Sequence, residues 1–445
     1  MQKEVHFKRI LISIVIASIV YFIPFGIEGQ AHTMLFVMTL VAALWITEAA
    51  PLHATAFVAA FLLIILVNLK PSLVFAQFFD PVIVLLLGGF TIAVAMSKHS
   101  LDKYFAYKII GHIGKTSKLI VLGLLATTTF LSMWISNSAA AAIIMPMALV
   151  ILAKNKVKKG ISNFGKACVL AVGYGATIGG IGTLVGSPPN LIAAKFLQDS
   201  GNTFGFYHWF IRGFPYMLIL MIFTWLALIF LYKPEKDISK VISHKANLNS
   251  NQKKVLIIFI ITVILWITES IHNIHSSVVA IIPIILLYFT GLLNSKDFSK
   301  IDWQTLILIG GGLALGISIH ETNLDSIFAS LLKNLTSGGN IFYLLLILAI
   351  FGVLLTSFIS NTTAAAVYLP IVVALTSTFN SGAVNTVVVA AIGVSLDFIF
   401  PFGTPPTAIA FSTRYVSMKD IAKAGIIISL MGALLLALIG FSWQL

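Results

Sequence analysis

Three short motifs of this chain return in the same order at nearly one spacing. Ser136-Asn137-Ser138 recurs as Ser360-Asn361-Thr362, 224 residues later. Gly186-Ser187-Pro188-Pro189 recurs as Gly403-Thr404-Pro405-Pro406, 217 residues later, and Leu44-Trp45-Ile46-Thr47-Glu48 as Leu265-Trp266-Ile267-Thr268-Glu269, 221 later. The first two motifs carry chemistry. Their hydroxyls and amide oxygens, with carbonyls freed where proline removes an amide donor, are hard ligands suited to Na⁺. A helix restarting after a proline pair aims amide donors and the positive end of its dipole into the gap, which suits a carboxylate. Asn serves both needs, since its carbonyl ligates a cation while its NH₂ donates to an anion. The chain reads as two homologous halves, each with one pair of polar, helix-breaking motifs inside apolar sequence. In a membrane protein that pattern places a site between two repeats.

The composition makes this a membrane protein. Of 445 residues 59% are apolar and 10% charged, and mean hydropathy is +1.02. No soluble domain of this size solvates such a surface. The net charge of +13 does not indicate nucleic acid, because 24 of the 28 Lys and Arg residues fall in short clusters between apolar runs, as in cytoplasmic loops. Cys168 is the single cysteine, so no internal disulfide forms. The histidines show no metal-ligand spacing and no nucleophile–base pair emerges, so the chain is not read as an enzyme.

Charge and length set an expected topology. With the N-terminus inside, spans fall near 8–27, 32–50, 52–69 and 82–98, with an interfacial helix near 103–113. The apolar stretch 119–153 has basic clusters on both flanks. As one helix it would be about 52 Å long, too long for a ~30 Å hydrocarbon core. It is therefore expected to be a re-entrant hairpin with Ser136-Asn137-Ser138 at its tip. A broken span follows near 167–196, then one near 211–231. The second half repeats this with spans near 255–271, 276–293 and 303–320, a hairpin 341–377 entering from outside, a broken span 385–412 and a last span 421–443. The expectation is an all-α polytopic fold of about 11 transmembrane helices and two re-entrant hairpins, arranged as an inverted repeat with helices broken at the midplane. Leu-Trp-Ile-Thr-Glu is expected to anchor helix ends.

Hairpin tips of Ser-Asn-Thr type, alternating with Gly-Ser-Pro-Pro-Asn and Thr-Pro-Pro breaks, resemble the divalent anion–sodium symporter family of di- and tricarboxylate transporters over essentially the whole chain. The resemblance implies a homodimer, with a scaffold (1–118 and 255–340) holding a mobile transport region (119–231 and 341–445) that moves elevator-fashion, and a cytoplasmic linker at 232–254. It implies two Na⁺ sites, one using Ser132, Ser136, Asn137 and Gly186, the other Thr356, the Ile359 carbonyl, Asn361 and Gly403. Substrate carboxylates would meet Asn137, Ser138, Ser187, Asn361, Thr362, Thr404 and Pro405. The implied activity is secondary transport of C4-type dicarboxylates, coupled to Na⁺ as symport and needing no cofactor, in a prokaryotic plasma membrane with the C-terminus outside.

The residues themselves favour symport. Neither tip nor break contains Lys, Arg or His, and a dicarboxylate at membrane depth is very costly without positive charge. Bound Na⁺ supplies it. Some positions depart from the family pattern: Ser138 stands where Thr is usual, Thr407 where Asn is usual, Gly403 where Ala is common, and Asp397 where a small residue is usual. An intramembrane acid is a candidate functional site. Asp397 is either a proton site or a partner for a cation such as Arg414. The alternatives are a Na⁺-independent dicarboxylate exchanger on the same fold and, further off, an inorganic-oxyanion transporter or a channel.

Overall fold

The computed structural model describes residues 5–23, 26–113, 116–235, 247–324, 327, 341–376, 383–401 and 404–443. Gly403, an expected sodium ligand, and Lys333, the cation nearest the second hairpin, lie outside them. Every described element is helical. Eight helices among the described residues are long and apolar enough to cross a membrane, and six further apolar helices are shorter.

The first half runs through Phe7–Phe22, Gly29–Ile46, Leu52–Ile65, Pro81–Lys98 and Leu101–Ile113 before reaching the hairpin Ser117–Ser132 and Asn137–Lys154. The broken pair Asn163–Ile181 and Pro188–Asp199 follows, then the long helix Phe206–Leu231. The second half has Ser250–Ile267, Ser276–Val279 continuing as Ile281–Phe289, and Trp303–Glu321. After these come the hairpin Ile341–Thr356 and Asn361–Thr376, the broken pair Ala383–Gly393 and Pro405–Ser412, and Met418–Ser442. A short helix at Pro71–Ala76 has no counterpart in the expected spans.

Asn163–Ile181 is the axis of the molecule, buried along nearly its whole length. Its glycines make that possible by letting backbones approach closely. Gly175 lies against the Leu125 carbonyl and Gly179 against the Thr129 carbonyl of the first hairpin. The two halves interlock around this helix. The restarting helix of the second break, Pro405–Ser412, packs on Asn163–Ile181 and Asn137–Lys154. The restarting helix of the first break, Pro188–Asp199, packs on Asn361–Thr376 and Ala383–Gly393. Polar bonds stitch the halves further: Lys166 pairs with Asp420 at 2.8 Å, Tyr174 donates to the Ile421 carbonyl at 2.9 Å and Tyr216 to the Gly432 carbonyl at 2.9 Å.

The repeated Leu-Trp-Ile-Thr-Glu motif anchors helix ends. The Trp45 indole donates to the Leu52 carbonyl at 3.2 Å and the Trp266 indole to the Ser276 carbonyl at 3.0 Å, each tying one helix end to the next helix. Thr47 and Thr268 each bond back to the carbonyl four residues earlier, at 2.7 Å. Large apolar side chains stay exposed on the periphery, Phe61, Phe230 and Phe289 among them, as a hydrocarbon solvent allows.

Close backbone packing yields a test. A methyl group added at Gly425 would fall on the Phe398 carbonyl, whereas one at Gly432 meets side chains alone, Leu220 and the Tyr216 hydroxyl, at 3.3 Å. Gly425→Ala is expected to cost about 1–3 kcal/mol and lower the melting temperature of the purified protein by several degrees, with Gly432→Ala close to wild type. Equal melting temperatures would contradict this packing.

Candidate functional site

Each hairpin turns through the same three backbone bonds. At the first tip Met133 N–H donates to the Thr129 carbonyl, and Trp134 and Ile135 both donate to Leu131. At the second, Ser357 donates to Val353, and Phe358 and Ile359 both donate to Leu355. The returning helix is then capped by a serine hydroxyl. Ser136 Oγ accepts from Ala139 N–H at 3.3 Å, and Ser360 Oγ from Thr363 N–H at 3.3 Å. Asn137 and Asn361 thus occupy the first position of a helix whose leading amides face the gap.

The Asn side chains are held by a hydroxyl five residues earlier. Ser132 Oγ lies 2.7 Å from Asn137 Oδ1, and Thr356 Oγ1 lies 2.6 Å from Asn361 Oδ1. Ser132 Oγ also lies 2.6 Å from the Ala176 carbonyl. One hydroxyl proton therefore serves two acceptors, so one close oxygen pair has no proton between its members. Ser132 and Thr356 are fully buried. An excess of oxygen lone pairs over protons in a buried place is what a hard cation neutralises.

The first break meets the first tip. A Cβ at Gly180 would lie 2.7 Å from Asn137 Oδ1, and one at Gly186 would lie 2.7 Å from the Gly180 carbonyl. Thr183 Oγ1 donates to the Met133 carbonyl at 2.5 Å. Ser132, Asn137 and Gly186, expected from sequence as one cation set, are brought together. Ser136, the fourth member, is occupied as a helix cap and lines the cavity described below.

At the breaks, Ser187 and Thr404 take the same role. Each is an extended residue before a Pro-Pro pair, and neither side chain caps its helix. The prolines occupy the first two helical positions. They remove donors that a helix start leaves unpaired anyway. They therefore leave fewer amides facing the gap than the sequence reading supposed.

Asn190 was missed as a site residue. Its Nδ2 donates to the Gly180 and Thr183 carbonyls, both at 2.8 Å, and so clamps the unwound segment. The signal was its place directly after the Gly-Ser-Pro-Pro motif. The second break has Thr407 there, whose hydroxyl lies 3.2 Å from that of Thr404.

Asp397 and Arg414 are not brought together. Asp397 is fully buried, no cation pairs with it among the described residues, and the Thr404 side chain stands beside it. Arg414 is exposed in a turn at φ +63°, its carbonyl beside Gly160. The turn carries Arg414 to the surface, so it is no counter-ion for the buried acid.

A cavity of about 270 Å³ reaches the first tip, lined by Phe90, Val94, Ile135, Ser136, Lys98 and Lys300 among others. The two lysines are gathered by Asp297, whose oxygens lie 2.6 Å from Lys98 Nζ and 2.8 Å from Lys300 Nζ. Burial pushes the Asp297 carboxyl up, but hydrogen bonds from Lys300 and Lys98 outweigh it and hold the group well below the usual carboxylate range.

The sequence matches the profile described as "Sodium:sulfate symporter transmembrane region" over residues 4–445. It is 32% identical to the sodium-dependent dicarboxylate transporter SdcS of Staphylococcus saprophyticus, over 95% of this chain and 88% of that one. The transporter of the same name from Staphylococcus aureus is also 32% identical, with the same coverage. Among solved structures, the YdaH transporter of Alcanivorax borkumensis superposes with a TM-score of 0.59 at 14% identity, covering 83% of this chain and 88% of that one, a likeness of fold.

Two tests follow from this geometry. Asn190→Ala loses two clamping bonds and should cost about 2 kcal/mol, read as a lower unfolding midpoint; unchanged stability would contradict the clamp. The depressed Asp297 carboxyl contributes stability above the ordinary carboxylate range and loses it as pH falls below that range. Asp297→Asn should therefore be less stable than wild type at neutral pH, the gap closing on acidification; a constant gap would contradict the ion-pair role.

Proposed function

The chain belongs to the sodium:sulfate symporter family of integral membrane transporters, and on that premise we propose that it carries C4-type dicarboxylates such as succinate, malate and fumarate by Na⁺-coupled symport. The observation that carries the reading is the hydroxyl bound to the Asn carboxamide oxygen at each tip. It turns each Asn oxygen toward a cation cluster and leaves each NH₂ for an anion. The names of the staphylococcal relatives point to the same pair of solutes.

In this mechanism Na⁺ at the first tip is held by Ser132, Asn137 and the Gly186 segment. Na⁺ at the second is held by Thr356, the Ile359 carbonyl, Asn361 and Gly403. The dicarboxylate lies between, one carboxylate toward Asn137, Ser138 and Ser187, the other toward Asn361, Thr362, Thr404 and Pro405. No lysine, arginine or histidine lies in these motifs, so the bound cations offset the substrate's charge. Substrate therefore binds only where the ions are in place, which is the physical content of coupling.

The reading includes an inverted repeat of about 11 spans and two hairpins, and a homodimer embedded in lipid. In it, regions 119–231 and 341–445 move as an elevator against scaffold regions 1–118 and 255–340, joined by the linker 232–254. The N-terminus is cytoplasmic and the C-terminus outside, in a prokaryotic plasma membrane. The lysine-flanked cavity at Ser136 then serves as the cytoplasmic approach to the site.

Asn137→Ala and Asn361→Ala should each reduce labelled succinate uptake into proteoliposomes to background while purifying as folded protein. Near-normal uptake by both would overturn the site assignment.

A further inference from the structure

Asp397 is a carboxylate with nothing assigned to it. It is fully buried, and the side chain that stands within hydrogen-bonding reach of it is the neutral Thr404 hydroxyl. No Lys, Arg or His among the described residues pairs with it. Tyr174, a hydroxyl within electrostatic range, is committed to the Ile421 carbonyl. Thr404, the last residue before the second restarting helix, stands beside the carboxylate.

The register of the repeat says what this place is. Asp397 precedes Thr404 by as many residues as Gly180 precedes Ser187. Gly180 is the residue whose α-carbon presses on the Asn137 carboxamide at the first cation cluster. The neighbouring packing follows the same register. The Ile181 carbonyl is approached by Gly213 of the helix after the first break, and the Phe398 carbonyl by Gly425 of the helix after the second. So at the register position where the first half has a bare α-carbon, the second half has a carboxylate.

We infer that Asp397 is an anionic ligand of the second cation site, supplying an oxygen that the first site lacks. This rests on the Na⁺-symport reading above and deepens it. An ionised carboxylate buried without a positive partner is strongly unfavourable, and a bound monovalent cation removes that cost directly. The second site should therefore hold Na⁺ more tightly than neutral oxygens alone would allow, and should fill before substrate arrives. A charge fixed to the protein crosses the membrane in both directions of each cycle. It therefore changes the affinity for Na⁺ without changing the net charge moved per substrate.

The test uses purified, substrate-free protein and Na⁺ itself as the probe, with K⁺ keeping ionic strength constant. Thermal stabilisation is recorded as Na⁺ replaces K⁺. Wild type should be stabilised by Na⁺, and Asp397→Asn, which keeps the side-chain volume, should raise the half-saturating Na⁺ concentration at least tenfold. A variant with the wild-type midpoint would overturn the ligand role while leaving symport intact. Wild type indifferent to Na⁺ would overturn the symport reading, and this inference with it. If Asp397→Asn fails to fold, the Na⁺-minus-K⁺ infrared difference spectrum of wild type decides. A carboxylate stretching change that saturates with the thermal effect supports the role, and a difference spectrum without one overturns it.

Discussion

A hydroxyl bound to an asparagine carboxamide oxygen, made once at each hairpin tip, is the interaction on which the rest of the structure depends. Ser132 holds Asn137 and Thr356 holds Asn361, across the same five-residue turn. In the function proposed above, the bond sets which end of each carboxamide faces a cation and which faces an anion. Everything around it keeps that small polar group at depth. The serine caps start the returning helices, the glycines of Asn163–Ile181 let the first tip approach, and Asn190 clamps the unwound backbone behind it. Irregular backbone in a membrane survives only where protein buries it or it lines a cavity. Here the interlocked halves provide the burial and the lysine-flanked cavity provides the opening.

The tips differ in their surroundings. Trp134 at the first tip is buried, its ring 5.0 Å from Phe259 of Ser250–Ile267 and 6.4 Å from Phe206. Phe358, its counterpart at the second tip, is 76% exposed. One tip is thus docked on neighbouring helices while the other presents an aromatic outward. This asymmetry grows from near-identical turns.

Much of this was legible in the residues. Charge on both flanks of 119–153, with a length no single span accommodates, predicted a hairpin, and the chain turns at residues 133–136. The tip and break motifs were legible because polar residues are rare in apolar sequence and so stand out. Spacing alone did not reveal what those residues do to one another. Asn190 looks like a helix residue until its amide is seen across the break. The proline pairs looked like sources of free carbonyls, but they fall at helix starts where the lost donors matter least. The expected span 276–293 pauses at Ala280, whose carbonyl lies against Gly88, a tertiary contact that apolar length does not encode. Pairing with Arg414 was one of the two readings of Asp397, and a left-handed turn that takes the arginine to the surface removes it.

The central claim is that bound Na⁺ supplies the positive charge that the site's own residues lack. It is tested most directly by labelled succinate uptake into proteoliposomes, either empty or preloaded with dicarboxylate, with Na⁺ or K⁺ outside. Uptake into empty vesicles that requires external Na⁺ is the predicted result. Uptake only into preloaded vesicles, indifferent to Na⁺, would contradict it.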